Sequence, residues 1–382
     1  MWRKPVFDKT KLNYAFYETF YFDGKFKINR LSYADYTFDF ATFGLSLAHS
    51  QAKLEDFQAD FRGGKIMAGG EWNMVPDNPT IQGNIALQQY KPEASALSGS
   101  KYGFSGGELE AKINFEAPAA SFDEMYSHLN ASLALNYKNV RFEGWSIGEI
   151  YQDILVRQTS DGLTKMIKDN LQKGSEQFEN IRGIADVKDG KYTLYEMQMQ
   201  NGAFIVTVSG SGDINNWDTD TEFTVKFRNP DYLPEFKYRF SESLSAPVLS
   251  VDAEALAAMY NKRQAEIEAQ NEAAAKAARD RLVQMMNDEL QKVKATESEL
   301  HNVIRSEIES RAAGAEDPEA VEAYKQLAEQ VKNLEAETAE LQLKGKTPNF
   351  EEALVQEIAA VNDKIKSEGQ KIRKAVNDNH IK

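Results

Sequence analysis

Two hydrophobic rhythms divide the chain. Up to about residue 252 apolar side chains recur every second position, and beyond it every third or fourth. Ala131, Leu133, Leu135 and Tyr137 alternate with Ser132, Asn136 and Lys138. Tyr195, Met197 and Met199 repeat the pattern, as do Thr221, Phe223, Val225 and Phe227. Earlier, Phe26 and Ile28 alternate with Lys25, Lys27 and Asn29, and Phe38 and Phe40 with Thr37 and Asp39. Leu109, Ala111, Ile113 and Phe115 are separated by Glu110, Lys112, Asn114 and Glu116. Period two predicts strands with one apolar and one wetted face.

Asp189-Gly190 and Asn201-Gly202 are dipeptides that accept the positive φ angles of tight hairpins. Further strands are expected near Leu54 to Phe61, Lys65 to Met74, Thr80 to Gln88, Pro234 to Ser241 and Pro247 to Val251, with a turn at Pro76-Asp77-Asn78-Pro79. Gly210-Ser211-Gly212 opens no helix and reads as a turn or bulge. Three helices break the run. Ala119 to Leu129 carries Ser121 as N-cap with Glu124 three residues on, Trp145 to Arg157 puts Ile147, Ile150, Tyr151 and Ile154 on one side, and Asp161 to Lys173 follows. The expectation is an α+β chain: a long, curled antiparallel sheet over residues 1–252, then an all-helical part. A sheet of ten or more strands must curl, split or close.

Several of these stretches resemble the C-terminal region of the AsmA-like family of Gram-negative envelope proteins. They are Leu129-Asn130-Ala131-Ser132, Asn139-Val140-Arg141-Phe142-Glu143-Gly144, Ile147-Gly148-Glu149-Ile150 and Gly183-Ile184-Ala185-Asp186-Val187-Lys188-Asp189-Gly190. Val208-Ser209-Gly210-Ser211-Gly212-Asp213-Ile214 and Thr224-Val225-Lys226-Phe227 extend the likeness, as do Leu54-Glu55-Asp56-Phe57, Gly63-Gly64-Lys65-Ile66 and Gly70-Glu71-Trp72. The likeness spans residues 20–252 and rests on turns and alternation rather than on catalytic groups.

The resemblance implies a periplasmic setting, phospholipid carried along an apolar groove, and an N-terminal inner-membrane anchor in a longer protein. Met1-Trp2-Arg3-Lys4-Pro5 is not followed by an apolar segment, so the chain is expected to be the C-terminal part of such a protein. A complete small protein is the alternative. The groove-lining candidates are the alternating residues Phe26, Ile28, Phe38, Phe40, Leu109, Ile113, Phe115, Leu133, Leu135, Tyr137, Tyr195, Met197, Met199, Phe223, Val225 and Phe227. The same face could instead close on itself and the helices as an ordinary core.

After Asp252 the composition changes. Of 41 aromatic residues only Tyr260, Tyr324 and Phe350 follow, and of 23 glycines only Gly314, Gly345 and Gly369. Ala, Glu, Lys and Gln, strong helix formers, replace them. Residues 253–281 read as an alanine-rich helical stalk and 282–382 as three helices packed as an antiparallel coiled coil. The seam residues are Leu290, Val293, Leu300 and Ile304, then Val331, Leu334 and Leu341, then Leu354, Ile358, Val361 and Ile365. Gly314-Ala315-Glu316-Asp317-Pro318 and Gly345-Lys346-Thr347-Pro348-Asn349 mark the breaks. An oligomeric rod is the alternative. This tail is foreign to the family pattern, and an unidentified protein partner or a spacer role is expected of it.

A net charge of −14 argues against nucleic-acid binding. There is no cysteine, hence no disulfide or thiolate metal site, and no 18-residue apolar run. His49, His128, His301 and His380 lack ligand spacing, Gly99-Ser100-Lys101 lacks the first glycine of a phosphate loop, and no nucleophile elbow is present. The chain is therefore expected to be non-enzymatic and without cofactor or metal. The resemblance implies that it would handle lipid or serve outer-membrane assembly, with a scaffold acting through the coiled coil as the alternative.

Overall fold

The structure, a computed structural model, describes residues 4–33, 36–92, 102–348 and 350–378. Gly99-Ser100-Lys101, Asn349 and His380 lie outside them. Two compact units are present, Met1–Gln264 and Ala265–Lys382.

The first unit is one antiparallel sheet of 14 strands, so the α+β class with a curled sheet is observed. The strands are β1 Phe22–Tyr33, β2 Tyr36–Ala48, β3 Gln51–Phe61, β4 Gly64–Asn73, β5 Thr80–Tyr90, β6 Gly103–Ser105 and β7 Glu108–Pro118. They continue as β8 Asn130–Glu143, β9 Ser175–Lys188, β10 Lys191–Gln200, β11 Phe204–Asp213, β12 Asp218–Phe227, β13 Phe236–Ser243 and β14 Val248–Asp252. Neighbours in sequence pair in space, except that β7 pairs β5 while β6 joins β8. Among the described residues β1 pairs only β2 and β14 only β13, so the sheet is open.

Curling has a local cause. Phe40, Asp56, Gln89, Asn139 and Glu196 interrupt β2, β3, β5, β8 and β10 with φ between 47° and 53°. The pairing register shifts beside Phe40, Asp56, Gln89 and Glu196. Each bulge adds one residue to its strand, bends it, and resets which parity faces the apolar side.

Turn chemistry divides similarly. Asp189 and Gly190 have φ of 49° and 72°, the two-residue hairpin their sequence predicts. Asn201-Gly202 does not take positive φ. Instead Asn201 Oδ1 accepts from the backbone N–H of Ala203 (2.9 Å) and Phe204 (3.1 Å), an Asx turn. Gly210-Ser211-Gly212 is no turn but the interior of β11. A Cβ on Gly212 would stand 2.3 Å from the Asp218 carbonyl and 2.5 Å from the Tyr192 ring. Glycine there lets the Tyr192 ring lie over the strand and donate its hydroxyl to Thr219 Oγ1 at 2.7 Å.

Helices α1 Phe122–Ser127, α2 Ile147–Val156 and α3 Leu163–Asn170 are shorter than the sequence suggests. Ser121 Oγ caps α1 by accepting from the Glu124 N–H at 3.1 Å. Ile147, Ile150, Ile154, Leu163 and Ile167 of α2 and α3 are buried against β8 to β14. Leu256 and Tyr260, in the first turns of α4 (Glu254–Glu299), join that core, and the Tyr260 hydroxyl donates to the Ile154 carbonyl at 2.6 Å. The segment before β1 runs along strand ends: Leu12 N–H donates to the Ala120 carbonyl at 2.9 Å, and Tyr14 packs edge-on against Trp72.

The second unit holds the rest of α4, a π-helical segment Leu300–Arg305, α5 Ser306–Ala313, α6 Pro318–Lys344 and α7 Glu352–Asp378. Residues 261–281 are exposed all round, and they share one continuous helix with the seam that follows. Val293, Leu300, Ile304, Val331, Leu341, Ile358 and Ile365 are buried together, with Leu290, Leu334, Leu354 and Val361 packed at the margin. Leu290 beside Gly345 and Arg305 beside Glu335 (3.1 Å) set α6 antiparallel to α4.

Candidate functional site: the uncovered apolar face

Directly paired residues in a sheet share a face. On the apolar side the pairs Phe26 with Phe43, Ile28 with Ala41, Leu31 with Phe38, Leu45 with Leu54 and Phe57 with Ala68 carry the face through β1 to β4. Ile66 with Leu87, Ile85 with Ile113, Phe115 with Ala131, Leu133 with Ala185 and Leu135 with Ala111 extend it to β9.

The two ends of this face differ. Over β8 to β14 it is roofed by α2, α3 and the start of α4, and Phe178, Phe204, Val206 and Val225 are fully buried. Over β1 to β5 no described helix lies on it beyond the single 3-10 turn Ala15–Glu18 beside β2. There Phe26, Ile28, Phe38, Phe43, Phe57, Ile66, Ile85 and Leu87 are only half-buried, as is Ile113 of β7.

Aromatic rings form a connected ladder across this open part. Phe22 stacks on Phe26 (centroids 5.8 Å apart) and Phe26 on Phe43 (4.9 Å). Phe43 meets Phe57 (5.8 Å), Phe57 meets Phe38 edge-on (6.1 Å), Phe38 stacks on Phe61 (4.8 Å), and Phe61 on Tyr90 (5.3 Å). Arg62 bounds the ladder, its guanidinium carbon 5.5 Å from the rings of both Tyr36 and Phe61.

The predicted lining thus falls into three groups. Phe26, Ile28, Phe38, Ile113, Phe115 and Leu133 lie on the uncovered face, and Leu109 and Leu135 at its junction with the core. Tyr137, Met199, Val225 and Phe227 are buried in the roofed core, with Met197 and Phe223 packed against it. The Tyr137 hydroxyl donates to the Gly106 carbonyl at 2.7 Å, and burial pushes its pKa up to about 12. Phe40 and Tyr195 are corrections. The bulges at Phe40 itself and at Glu196 break the alternation, leaving Phe40 68% exposed and pairing Tyr195 with exposed Ile184 on the wetted face. Phe43, Phe57, Ile85 and Leu87 belong to the site although alternation alone did not single them out. The register across neighbouring strands, which no single strand carries, is what places them.

The opposite face is polar and ion-paired across strands, as in Lys53–Glu71 (3.5 Å), Lys65–Asp60 (3.6 Å) and Lys237–Glu222 (3.0 Å). An open concavity of about 770 Å³ beside Asn84, Asn114, Ser132 and Asp186 lies on this wetted side. Glu176 of β9, half-buried beside the first turn of α2, accepts from the Gly148 N–H (2.8 Å) and Asn201 Nδ2 (3.3 Å), and burial raises its carboxyl pKa. His49 bonds Tyr21 at 2.6 Å and His301 bonds Glu335 at 3.1 Å. Among the described residues no cluster of three or more His, Asp or Glu is placed to hold a metal, and no helix is long and apolar enough to cross a membrane. Compared with protein-family models, curated proteins and solved structures, the chain finds no match.

Proposed function

We propose that the first unit shelters acyl chains of phospholipid on the uncovered apolar face, in the manner of the AsmA-like proteins it resembles. The observation that carries this reading is the contrast within one sheet. The same face is roofed by helices over β8 to β14 but over β1 to β5 meets only a 3-10 turn, and there Phe26, Phe38, Phe43 and Phe57 of the ring ladder are no more than half-buried. Contiguous apolar surface of this extent marks an interaction site in soluble proteins. Each methylene laid on it is worth about 0.8 kcal/mol, so an acyl chain gains affinity from length alone, with no fixed polar partner. The role is non-enzymatic, and the setting is the periplasm.

Native mass spectrometry of the whole chain, with extraction of whatever is bound, tests it. Wild type is expected to carry phospholipid, and Ile85→Asp to keep its circular dichroism while losing the lipid. A lipid-free wild type, or an Ile85→Asp variant equally loaded, defeats the reading.

A further inference from the structure

The aromatic ladder on the uncovered face ends at a rim, and the rim carries a cation. Arg62 and Gly63 form the two-residue turn between β3 and β4, with φ of 48° and 78°. Such a turn favours Asn-Gly or Gly-Gly, and an arginine there is held in the left-handed region against its preference. The turn does not call for this side chain, so the reason lies in what the guanidinium touches. Its carbon stands 5.5 Å from the centroids of the Tyr36 and Phe61 rings, and Nη1 donates to the Tyr90 hydroxyl at 3.4 Å.

These three rings close the ladder at this end. Phe61 stacks on Tyr90 and on Phe38, and from Phe38 the rings run on through Phe57 and Phe43 to Phe26 and to Phe22 at the start of β1. Lys91 brings a second cation to the same rim. Its backbone N–H donates to the Arg62 carbonyl at 3.3 Å, and its side chain passes Gly63, with Cδ 3.4 Å from where a Cβ would stand. Its ammonium is 3.8 Å from the Glu108 carboxylate, an exposed pair of little strength. The chain as a whole carries a net charge of −14, and a field of that sign disfavours an anion, so one is held only beside a local cation.

We infer that Arg62 is the head-group seat of the uncovered face: it holds the phosphate of a phospholipid whose acyl chain lies along the ladder, with Lys91 beside it. The inference rests on the acyl-chain reading above and adds to it the end of the face at which the head group sits and the chemistry that selects it. A guanidinium meets phosphate oxygens with paired N–H donors, and stacking on rings uses none of them. The head group stays at the rim, where Arg62 is half-buried and Tyr36 and Lys91 are exposed, so the phosphate keeps much of its water. Hydrocarbon gains affinity from its length alone, so the apolar face by itself does not tell a phospholipid from a neutral glyceride. Arg62 makes that distinction.

The test measures binding of lauroyl lysophosphatidic acid and of monolaurin, which differ by the phosphate alone, to the full-length chain. Wild type is expected to prefer the phosphate lipid by about tenfold at low salt, the worth of a hydrogen bond to a charged group. The preference should shrink as salt is added. Arg62→Gln should bring the two lipids level, with monolaurin bound as before and the circular dichroism unchanged. Lys112→Gln makes the same loss of charge on the wetted face, beside Ala86 and Ala134, and should leave the preference intact. The inference falls and the acyl-chain reading stands if both lipids bind wild type equally, if the preference survives Arg62→Gln, or if Lys112→Gln abolishes it as well. It falls likewise if glycerol phosphate, which has no chain, binds as tightly as the lipid. Failure of both lipids to bind overturns the two together.

Discussion

Phe40 holds a φ of 53° at a strand position where its ring is 68% exposed. The left-handed region costs a residue with a Cβ about 1–2 kcal/mol, and little burial compensates. Asparagine tolerates that region better. Phe40→Asn is therefore expected to stabilise the chain by up to about 1 kcal/mol, read as a higher urea midpoint. A fall in the midpoint would mean that the exposed ring holds a contact of its own. Glu176 makes a second residue-scale case. Burial raises its carboxyl pKa when folded, so the folded state binds the proton more tightly than the unfolded chain does. Its favourable contribution is complete below the ordinary glutamate value and is lost as pH rises through the raised one. Glu176→Gln cannot ionise, and one amide oxygen can still accept from Gly148. Wild type should lose stability relative to the variant as pH rises from acid to neutral, measured as urea midpoints over a pH series. Parallel curves would mean that Glu176 titrates alike in both states.

At the scale of elements, strands and helices were readable because their signals are local. Alternation such as Leu109, Ala111, Ile113 and Phe115 names a strand wherever it occurs, and Asp317-Pro318 names a helix start. Asp317 Oδ1 accepts from the Glu319 N–H at 3.1 Å, the cap its sequence position implies. Asp317→Ala is expected to cost about 1 kcal/mol, seen as a lower thermal midpoint, whereas Glu316→Ala should be close to neutral. Facing was less readable. Alternation assigns Tyr195 and Met197 to one side, but a bulge at Glu196, which no glycine announces, puts them on opposite sides. The π-helical segment Leu300–Arg305 is hidden for a related reason. Its residues keep an apolar seam, and the neighbour Leu300 packs against is remote in sequence, Gly369, whose missing Cβ leaves room for it. Where a residue faces depends on pairing between distant segments, which the periodicity of one segment cannot encode.

For the sheet as a whole, the uneven roof predicts uneven stability. Strands β11 to β13 bury Phe204, Val206, Val225, Phe236 and Tyr238 almost completely, whereas β1 to β3 leave Phe26, Phe43 and Phe57 only partly buried. Opening free energy follows buried apolar contact, so local opening should be easiest at the β1 edge and rarest under α2 and α3. Amide hydrogen exchange is expected to show slow exchange through β11 to β13 and faster exchange through β1 to β3. This contrast also separates the two functions the sequence left open. A ligand that binds only the folded sheet stabilises it by mass action, and most where its contacts are made. Vesicle-derived phospholipid should therefore slow exchange in β1 to β5 and leave the helices α6 and α7 untouched. A scaffold acting through its coiled coil would show no change in the sheet. Protection confined to α6 and α7 on adding a partner would move the function to the second unit, and the bare face over β1 to β5 would then need another occupant.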